Sequence, residues 1–531
     1  MGLARRAASL GVAVLAALGT TEAVAQKPGG TLRLYHWDSP PSLSIHEEVT
    51  VSTLVPMMGV FNNLVTYDPQ IAKSGIGTVR PDLAASWEWR DGGRTLVLKL
   101  QHGVKWHDGE PFTAADVKCT WDLLTGRGAA KLRLNPRKTW YENLDDVTAD
   151  ADDVASFHLK RPQPALLALL ASGYSPVYPC HVSPQQMRQH PIGTGPFKFL
   201  EFKPNESVKV VRNPDYWKPA RPYLDGIDFT IITNRSTALL AFESSRVDMT
   251  FPFNVTVPLM GEVKGAAPDA TCVLEPTGTA RGLLLNRTVP PFDDPDFRRA
   301  LALSLDRKAF IDILSEGQDL LGGLMMPPPE GSWGLPSEVL KTLPGYDPDI
   351  AKSRAEARGL MQRHGYGPDH PLPVKVSTRN LPEFRDSAVV LIDQLKTIYI
   401  DAQLELIETA SWFTRLSRKD YQLALFFSLS SVDDPDQQLY ENYTCGAERN
   451  YTGYCNRDLE RRFDAQSMEP DQAKRQRLVW EIDRELQEEV VKPIIAHTRL
   501  ATCWHKAVKG LTIPSNSIAN GWRFEDVWLD R

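Results

Sequence analysis

Residues 96–124 read LVLKLQHGVKWHDGEPFTAADVKCTWDLL, and their periodicity changes within one short stretch. Leu96, Leu98 and Leu100 alternate with other residues, the pattern of a strand with one buried face. Gly103 interrupts it, Val104-Lys105-Trp106 resumes an extended run, and Asp108-Gly109 is a turn signal. Thr113 then opens a capping box with Asp116, its hydroxyl placed to accept from the N3 amide. Val117, Trp121 and Leu124 follow at helical spacing. A strand, a tight turn and a capped amphipathic helix in under thirty residues indicate an α/β chain.

The same alternation of elements continues outward. Thr31–Tyr35 alternates and reads as an opening strand. Asp294-Pro295 starts one helix through FRRALALSLDRKAFIDIL, with Pro295 at the first helical position, where its missing N–H is harmless. Ala388, Leu391, Ile392, Leu395 and Ile398 form an amphipathic stripe. Asp145, Asp146, Asp150, Asp152 and Asp153 flank a β turn and read as a solvated edge. The 40 prolines are dispersed, in keeping with many short connections, and there is no internal repeat.

The chain has 531 residues, 42% hydrophobic and 24% charged, with formal net charge −6. These fractions exclude a disordered, collagen-like or coiled-coil chain. The length exceeds what one core usually serves, so two or three lobes are expected. A mildly acidic chain without a dense Lys/Arg run has no bulk attraction for nucleic acid. At the N-terminus, Arg5 and Arg6 precede an apolar run from Leu10 to Leu18, and Ala23-Val24-Ala25 supplies small residues before Gln26. This pattern is that of a secretory leader, residues 1–25. No later stretch has about 18 uninterrupted apolar residues, so no membrane insertion of the mature chain is expected. Export to a periplasm places the six cysteines where disulfides persist. Cys445 and Cys455 bracket the polar loop GAERNYTGY, and a bridge there would remove loop entropy worth roughly 3 kcal/mol in the chain-entropy model. The pairing of Cys119, Cys180, Cys272 and Cys503 stays open; elimination offers Cys119–Cys180 and Cys272–Cys503.

Motifs of catalysis are missing. There is no G-x-S-x-G, H-E-x-x-H or Walker A sequence, and Gly193-Thr194-Gly195 lacks the third glycine of a dinucleotide loop. His102 and His107 straddle a strand and a turn; as metal-ligand candidates they lack a carboxylate partner and read as surface histidines. Asp433-Asp434 and Asp436 suggest calcium, but the intervening Pro435 and the missing calcium-loop spacing make them a loop cap. The sequence favours binding over catalysis and implies no cofactor.

Five separated blocks carry a resemblance: Leu98–Val117, Ile192–Phe199 (IGTGPFKF), Arg212–Trp217 (RNPDYW), Arg298–Phe310 (RRALALSLDRKAF) and the loop Tyr440–Cys455. Together, in this order, they resemble the family 5 extracellular solute-binding proteins, the dipeptide- and oligopeptide-binding group serving ABC importers. Gln101 stands where that group usually has a basic residue. The resemblance implies a periplasmic-binding-protein-like two-lobed clamp (type II, cluster C-like) with an extra domain inserted in the first lobe. Lobe I is expected from 26–70, 190–278 and 495–531, the extra domain from 71–189, and lobe II from 279–494. The implied function is a periplasmic, monomeric receptor that closes on a small organic solute and presents it to an inner-membrane ABC permease, with no nucleic-acid partner. A secreted hydrolase of peptides or amides, using Ser430 or Ser431 with a histidine, is the alternative. Binding of a metal chelate or haem is a third.

Relatives in this group hold a peptide carboxylate with an arginine after a strand. Val374–Asn380 fits that place and nominates Arg379, whose planar fork suits two-point contact. They hold the peptide ammonium with an aspartate shortly before an Asp-Pro step. Aligning Asp434-Pro435 puts Ser431 there, so a buried ammonium would lack its counter-ion. Asp433 could compensate only in a reshaped loop. A carboxylate-bearing, peptide-like or aromatic solute is the expected cargo. Trp37, Trp333 and Trp412, among 13 tryptophans, are candidate walls, and His36, Arg281 and Tyr440 are further candidate lining residues.

Overall fold

The computed structural model describes residues 26–531; the leader reading at residues 1–25 lies outside the described residues. Three sheets organise the chain. The first has four strands in the spatial order Thr31–His36, Gly226–Ile231, Ser207–Arg212, Phe197–Lys203. Its first pair is parallel and the others antiparallel. The second is an antiparallel sheet of Ala84–Arg90, Thr95–Leu100, Val154–Leu159 and Leu144–Ala151. The third has five strands in the order Ile400–Ile407, Leu372–Arg379, Leu423–Leu429, Thr271–Leu285, Ile494–Trp504.

The deciding stretch folds as its periodicity predicts. Leu96, Leu98 and Leu100 are buried, and so are Val117, Trp121 and Leu124 on the helix Ala114–Thr125. Asp116 accepts from the Thr113 amide at 3.0 Å, completing the capping box. The helix over Asp294–Leu314 is not continuous. It breaks into Pro295–Ser304 and Arg307–Ser315, because Leu305 leaves helical geometry and Asp306 starts the second helix by accepting from the Ala309 amide. The 388–398 stripe lies mostly on the helix Pro382–Lys396. Gly193 and Gly195 do not mark left-handed turns. A Cβ at either would fall within 2.5 Å of the Val60 carbonyl oxygen or carbon region, so they permit close packing of two backbones.

The strands Thr271–Leu285 and Ile494–Trp504 are the longest and join the first and third sheets. Met249 bridges both Leu34 and Trp504, while Leu283 pairs with Leu425 in the five-stranded sheet. Their mutual pairing slips between Pro276 and Ala280. Gly278, at φ +74°, occupies this bulge and its carbonyl accepts from the Ser430 amide at 2.7 Å. Disulfides join Cys445 to Cys455, Cys272 to Cys503 and Cys119 to Cys180. Cys272–Cys503 ties the two long strands at a directly paired position.

Candidate functional site: an aromatic cleft between two sheets

The C-terminal end of the first strand delivers Trp37 and Asp38 to a packed seam facing the third sheet. Trp37 stacks on Phe253 with ring centres 4.3 Å apart and also meets Phe251. Phe251 leads on to Trp522. From the opposite side come Phe384 and Phe427, packed on each other at 4.6 Å; Phe384 reaches Trp37 and Phe427 reaches Phe253. Such rings bury large apolar area with few rotors and add about 0.5–1.5 kcal/mol per well-placed pair.

Arg379 ends the strand Leu372–Arg379 and is buried at this seam. Its guanidinium lies 5.1 Å from the ring centres of both Trp37 and Phe384 and 5.8 Å from Phe413. Nη2 donates to Asp38 Oδ2 at 2.9 Å, and Nε and Nη2 donate to the Thr409 hydroxyl. Burial pulls the Arg379 pKa down and the Asp38 carboxylate opposes that. A cation held by rings on its flanks and one carboxylate at its edge can present its remaining N–H groups to an acid group.

Of the residues nominated from sequence, the structure brings Trp37 and Arg379 together. The others are placed elsewhere. His36 is wholly buried beneath Trp37, its Nε2 3.1 Å from the Ser52 carbonyl, and burial pushes its pKa down to about 4. It is floor, not lining, because it points to the opposite face of the strand from Trp37. Arg281 lies under Phe427 at 5.2 Å, but its fork is consumed by Asp319 and Glu383 at 2.8 and 2.9 Å and by the Ser387 hydroxyl. Trp412 is core, packed with Leu284, Ile407, Leu416 and Phe426; the next residue, Phe413, faces Arg379 instead. One helical residue turns the side chain by about 100°, which accounts for the difference.

Trp333 donates from Nε1 to the Asp433 carbonyl at 2.9 Å and carries Arg475 over its ring. The Asp433 carboxylate accepts from the Ser332 amide and lines a small cavity with Gly278 and Ser430. Burial raises its pKa. Tyr440 accepts from Arg161 at 2.7 Å and donates to Asp464. Ser431 is a junction. Its amide and hydroxyl both donate to Gln437, its hydroxyl accepts from Ser172 at 2.9 Å, and its carbonyl accepts from Asn516 and Asn520. The Ser430 hydroxyl accepts from Gln438. Among the described residues neither serine has a histidine partner, so the pairing needed for hydrolysis is not assembled there.

Asp38, Phe253, Phe384, Phe427 and Thr409 were not singled out from sequence. Asp38 was the most accessible to such reasoning, because it follows Trp37 directly at the end of a strand. The aromatic residues come from three distant segments and carry no common pattern. Further contacts join the second sheet's domain to the third sheet's lobe. Trp140 Nε1 donates to Glu441 at 3.2 Å and Gln163 donates to Asp436 at 3.0 Å. Arg235 reaches from the first lobe to Asp386 at 2.7 Å. No helix among the described residues is long and apolar enough to cross a membrane.

Comparison with known proteins agrees with this architecture. The chain is 24% identical over 483 residues to a dipeptide-binding protein of Pseudomonas aeruginosa, covering 86% of this chain and 87% of the relative. The fold matches a dipeptide binding protein from Pseudoalteromonas sp. SM9913 in complex with Met-Leu, with TM-score 0.83, 19% identity and coverage of 94% and 100% of the two chains. It also matches the PBP AgaA from A. tumefacien R10 in complex with agropinic acid, with TM-score 0.80, 21% identity and coverage of 94% and 99%. These matches show the two-lobed periplasmic-binding-protein fold. The sequence pattern described as bacterial extracellular solute-binding proteins, family 5 Middle, spans residues 78–450, and the chain therefore belongs to the family 5 extracellular solute-binding proteins.

Proposed function

We propose that this protein is the periplasmic receptor of an ABC importer, capturing a small carboxylate-bearing solute of peptide or peptide-like type between its lobes. The observation that carries the reading is Arg379: a buried fork from one lobe, flanked by rings of both lobes and facing Asp38 of the other. A solute acid group would take the free edge of that fork, and its body would have to part the rings of Trp37, Phe253, Phe384 and Phe427, which pack on one another. Contacts made by both lobes at once favour the closed arrangement over the open one, by as much as the ligand's differential affinity for the two. An inner-membrane permease would recognise the closed outline. Solved neighbours holding Met-Leu and agropinic acid, each of which bears a carboxylate, support a carboxylate-bearing cargo.

A free solute ammonium has no carboxylate reserved for it here, because Asp38 is engaged by Arg379. Micromolar affinity, about −8 kcal/mol, suffices for capture. Native mass spectrometry of the freshly purified full chain, followed by thermal-shift titration with N-blocked peptides, free peptides and organic acids, tests the proposal. A small acidic solute recovered intact, with a saturable shift that Arg379→Ala abolishes, is expected. Turnover of the bound solute, or binding unchanged by Arg379→Ala, would overturn it.

A further inference from the structure

The segment after the first strand, the second sheet's domain and the third sheet's lobe enclose a cavity of about 380 Å³ where they meet. That volume and that position, at a junction of domains, are those of small-molecule sites. The lining is acidic: Glu47, Glu48 and Glu448 face one cation, Arg133. Glu47 is already engaged, accepting from Arg188 Nη1 at 3.0 and 3.2 Å and from the Arg133 amide. Glu48 is only half engaged. The residue is 8% exposed, and its Oε1 accepts from the Ser42 hydroxyl at 2.6 Å and from Arg133 at 2.8 Å. Its Oε2 takes no hydrogen bond among the described residues. Glu448 is exposed at the mouth, in the loop closed by Cys445–Cys455, and pairs with no cation among the described residues. Two arginines lie behind this wall without lining the cavity: Arg137 donates to the Glu48 carbonyl, and Arg449 pairs with Glu441.

The rest of the lining is largely apolar, with Leu134 at the mouth and Tyr451 buried. Thr409 and Phe413 also line the cavity. The Thr409 hydroxyl accepts from Arg379, and the Phe413 ring centre is 5.8 Å from that guanidinium. The cavity therefore shares a wall with the proposed carboxylate fork. Burial raises the Glu48 pKa, while Ser42 and Arg133 oppose the rise. A cation at the open Oε2 would favour the charged carboxylate further. Carboxylates beside apolar walls match a cationic head on an apolar stem: the stem buries area, the head donates to Glu48, and nearby rings attract the charge.

We propose that this cavity receives a cationic group of the cargo, an amine or guanidinium on an apolar stem, with Glu48 Oε2 as its acceptor and Glu448 as the second charge at the mouth. The inference rests on the solute-receptor reading and narrows its substrate class to dipolar solutes. The acid group lies at Arg379 and the basic group lies across Thr409 and Phe413 in the cavity, away from Asp38.

The test uses the full mature chain. Its co-purifying solute is identified by native mass spectrometry. Isothermal titration then compares N-acetyl-arginine with N-acetyl-citrulline, which has nearly the same shape and no charge on its side chain. The proteins are the natural chain, Glu48→Gln and Glu448→Lys. Glu48→Gln keeps one acceptor for Ser42 and Arg133 and puts an NH2 group in place of Oε2. Glu448→Lys reverses the charge of one exposed side chain, so it decides the matter if Glu48→Gln does not fold. A cargo with a basic group is expected, together with a preference for the arginine compound of about tenfold or more that falls below about threefold in the variants. A cargo without a basic group, equal affinity for the two compounds, or a preference that survives Glu48→Gln would overturn the cation site. Equal affinities that Arg379→Ala abolishes remove the cation site alone. Absence of any cargo and of binding by either compound removes the receptor reading with it.

Discussion

Arg379 and Asp38 are 341 positions apart in sequence, yet Nη2 and Oδ2 lie 2.9 Å apart across the cleft, with both side chains largely shielded from water. Each satisfies a charge that burial would otherwise leave exposed to a low dielectric. Removing one partner of such a pair typically costs about 3–5 kcal/mol, while replacing both with apolar residues costs far less. Arg379→Met and Asp38→Ala should therefore each lower the stability of the lobe-closed form strongly. The double variant should recover much of the loss. Urea unfolding of the four proteins in a double-mutant cycle measures the coupling; additive single effects would mean that the pair contributes no inter-lobe interaction.

Gly278 makes a sharper backbone prediction. Its φ of +74° is costly for other residues, and a Cβ would approach the Ser430 carbonyl oxygen to 2.6 Å. Alanine there should cost about 1–2 kcal/mol from backbone strain alone, with the clash adding to it. Gly261, within the helix Val257–Ala266, has nothing within 4 Å of its would-be Cβ. Gly261→Ala should instead stabilise by about 0.5–1 kcal/mol. Opposite shifts in melting temperature are expected, and a neutral Gly278→Ala would show that the bulge is not held as described.

The readable part of the molecule was the part governed by local chemistry. Thr113 and Asp116 announce a helix start because both partners of the cap lie three residues apart. Leu96, Leu98 and Leu100 announce a strand because alternation is a property of the backbone. The break at Leu305 was hidden, since Asp306 is both a tolerable helical residue and an N-cap, and only packing decides. The cleft was legible at Arg379 and Trp37, which sit at strand ends, but not at Phe253, Phe384 or Phe427. Those residues meet only because three distant segments converge, and no periodicity records that. Trp412 and Arg281 illustrate the converse: residue type suggested a ligand wall, while a single residue step along a helix and two buried carboxylates decided otherwise.

Acid should destabilise the fold in a defined window. His36 and His497 are buried with pKa values pushed down to about 4, and His46 to about 3. Their unfolded counterparts protonate near pH 6.5. Between pH 6.5 and 4 the unfolded chain binds more protons, so stability falls with pH, and the loss is complete only below the folded values. Each fully shifted histidine contributes on the order of 3 kcal/mol. Asp434 and Asp483 oppose this, because burial raises both to about 6; between pH 6 and 3.8 they take up protons in the folded state first. Thermal unfolding across pH 4–8 should show a net decline below about pH 6.5, and His497→Gln should flatten it. A melting temperature that rises on acidification would contradict the neutral assignment of these rings.

Trp37 separates packing from recognition. Its ring stacks on Phe253 and carries Arg379 at 5.1 Å, while its buried Nε1 has no hydrogen-bond partner among the described residues. Truncation to alanine removes both functions and should cost about 3–5 kcal/mol, as for other buried large-to-small changes. Phenylalanine keeps a ring against Phe253 and removes the N–H. If a solute acceptor meets that N–H, Trp37→Phe should leave the unliganded melting temperature within a few degrees and weaken cargo binding by about fivefold to thirtyfold, the range of one or two kcal/mol lost with a hydrogen bond. Isothermal titration with the co-purified solute reads the affinity directly. Unchanged affinity in Trp37→Phe together with a large loss in Trp37→Ala would make this residue a wall only, and would move the hydrogen-bonding side of recognition to Arg379 and its surroundings.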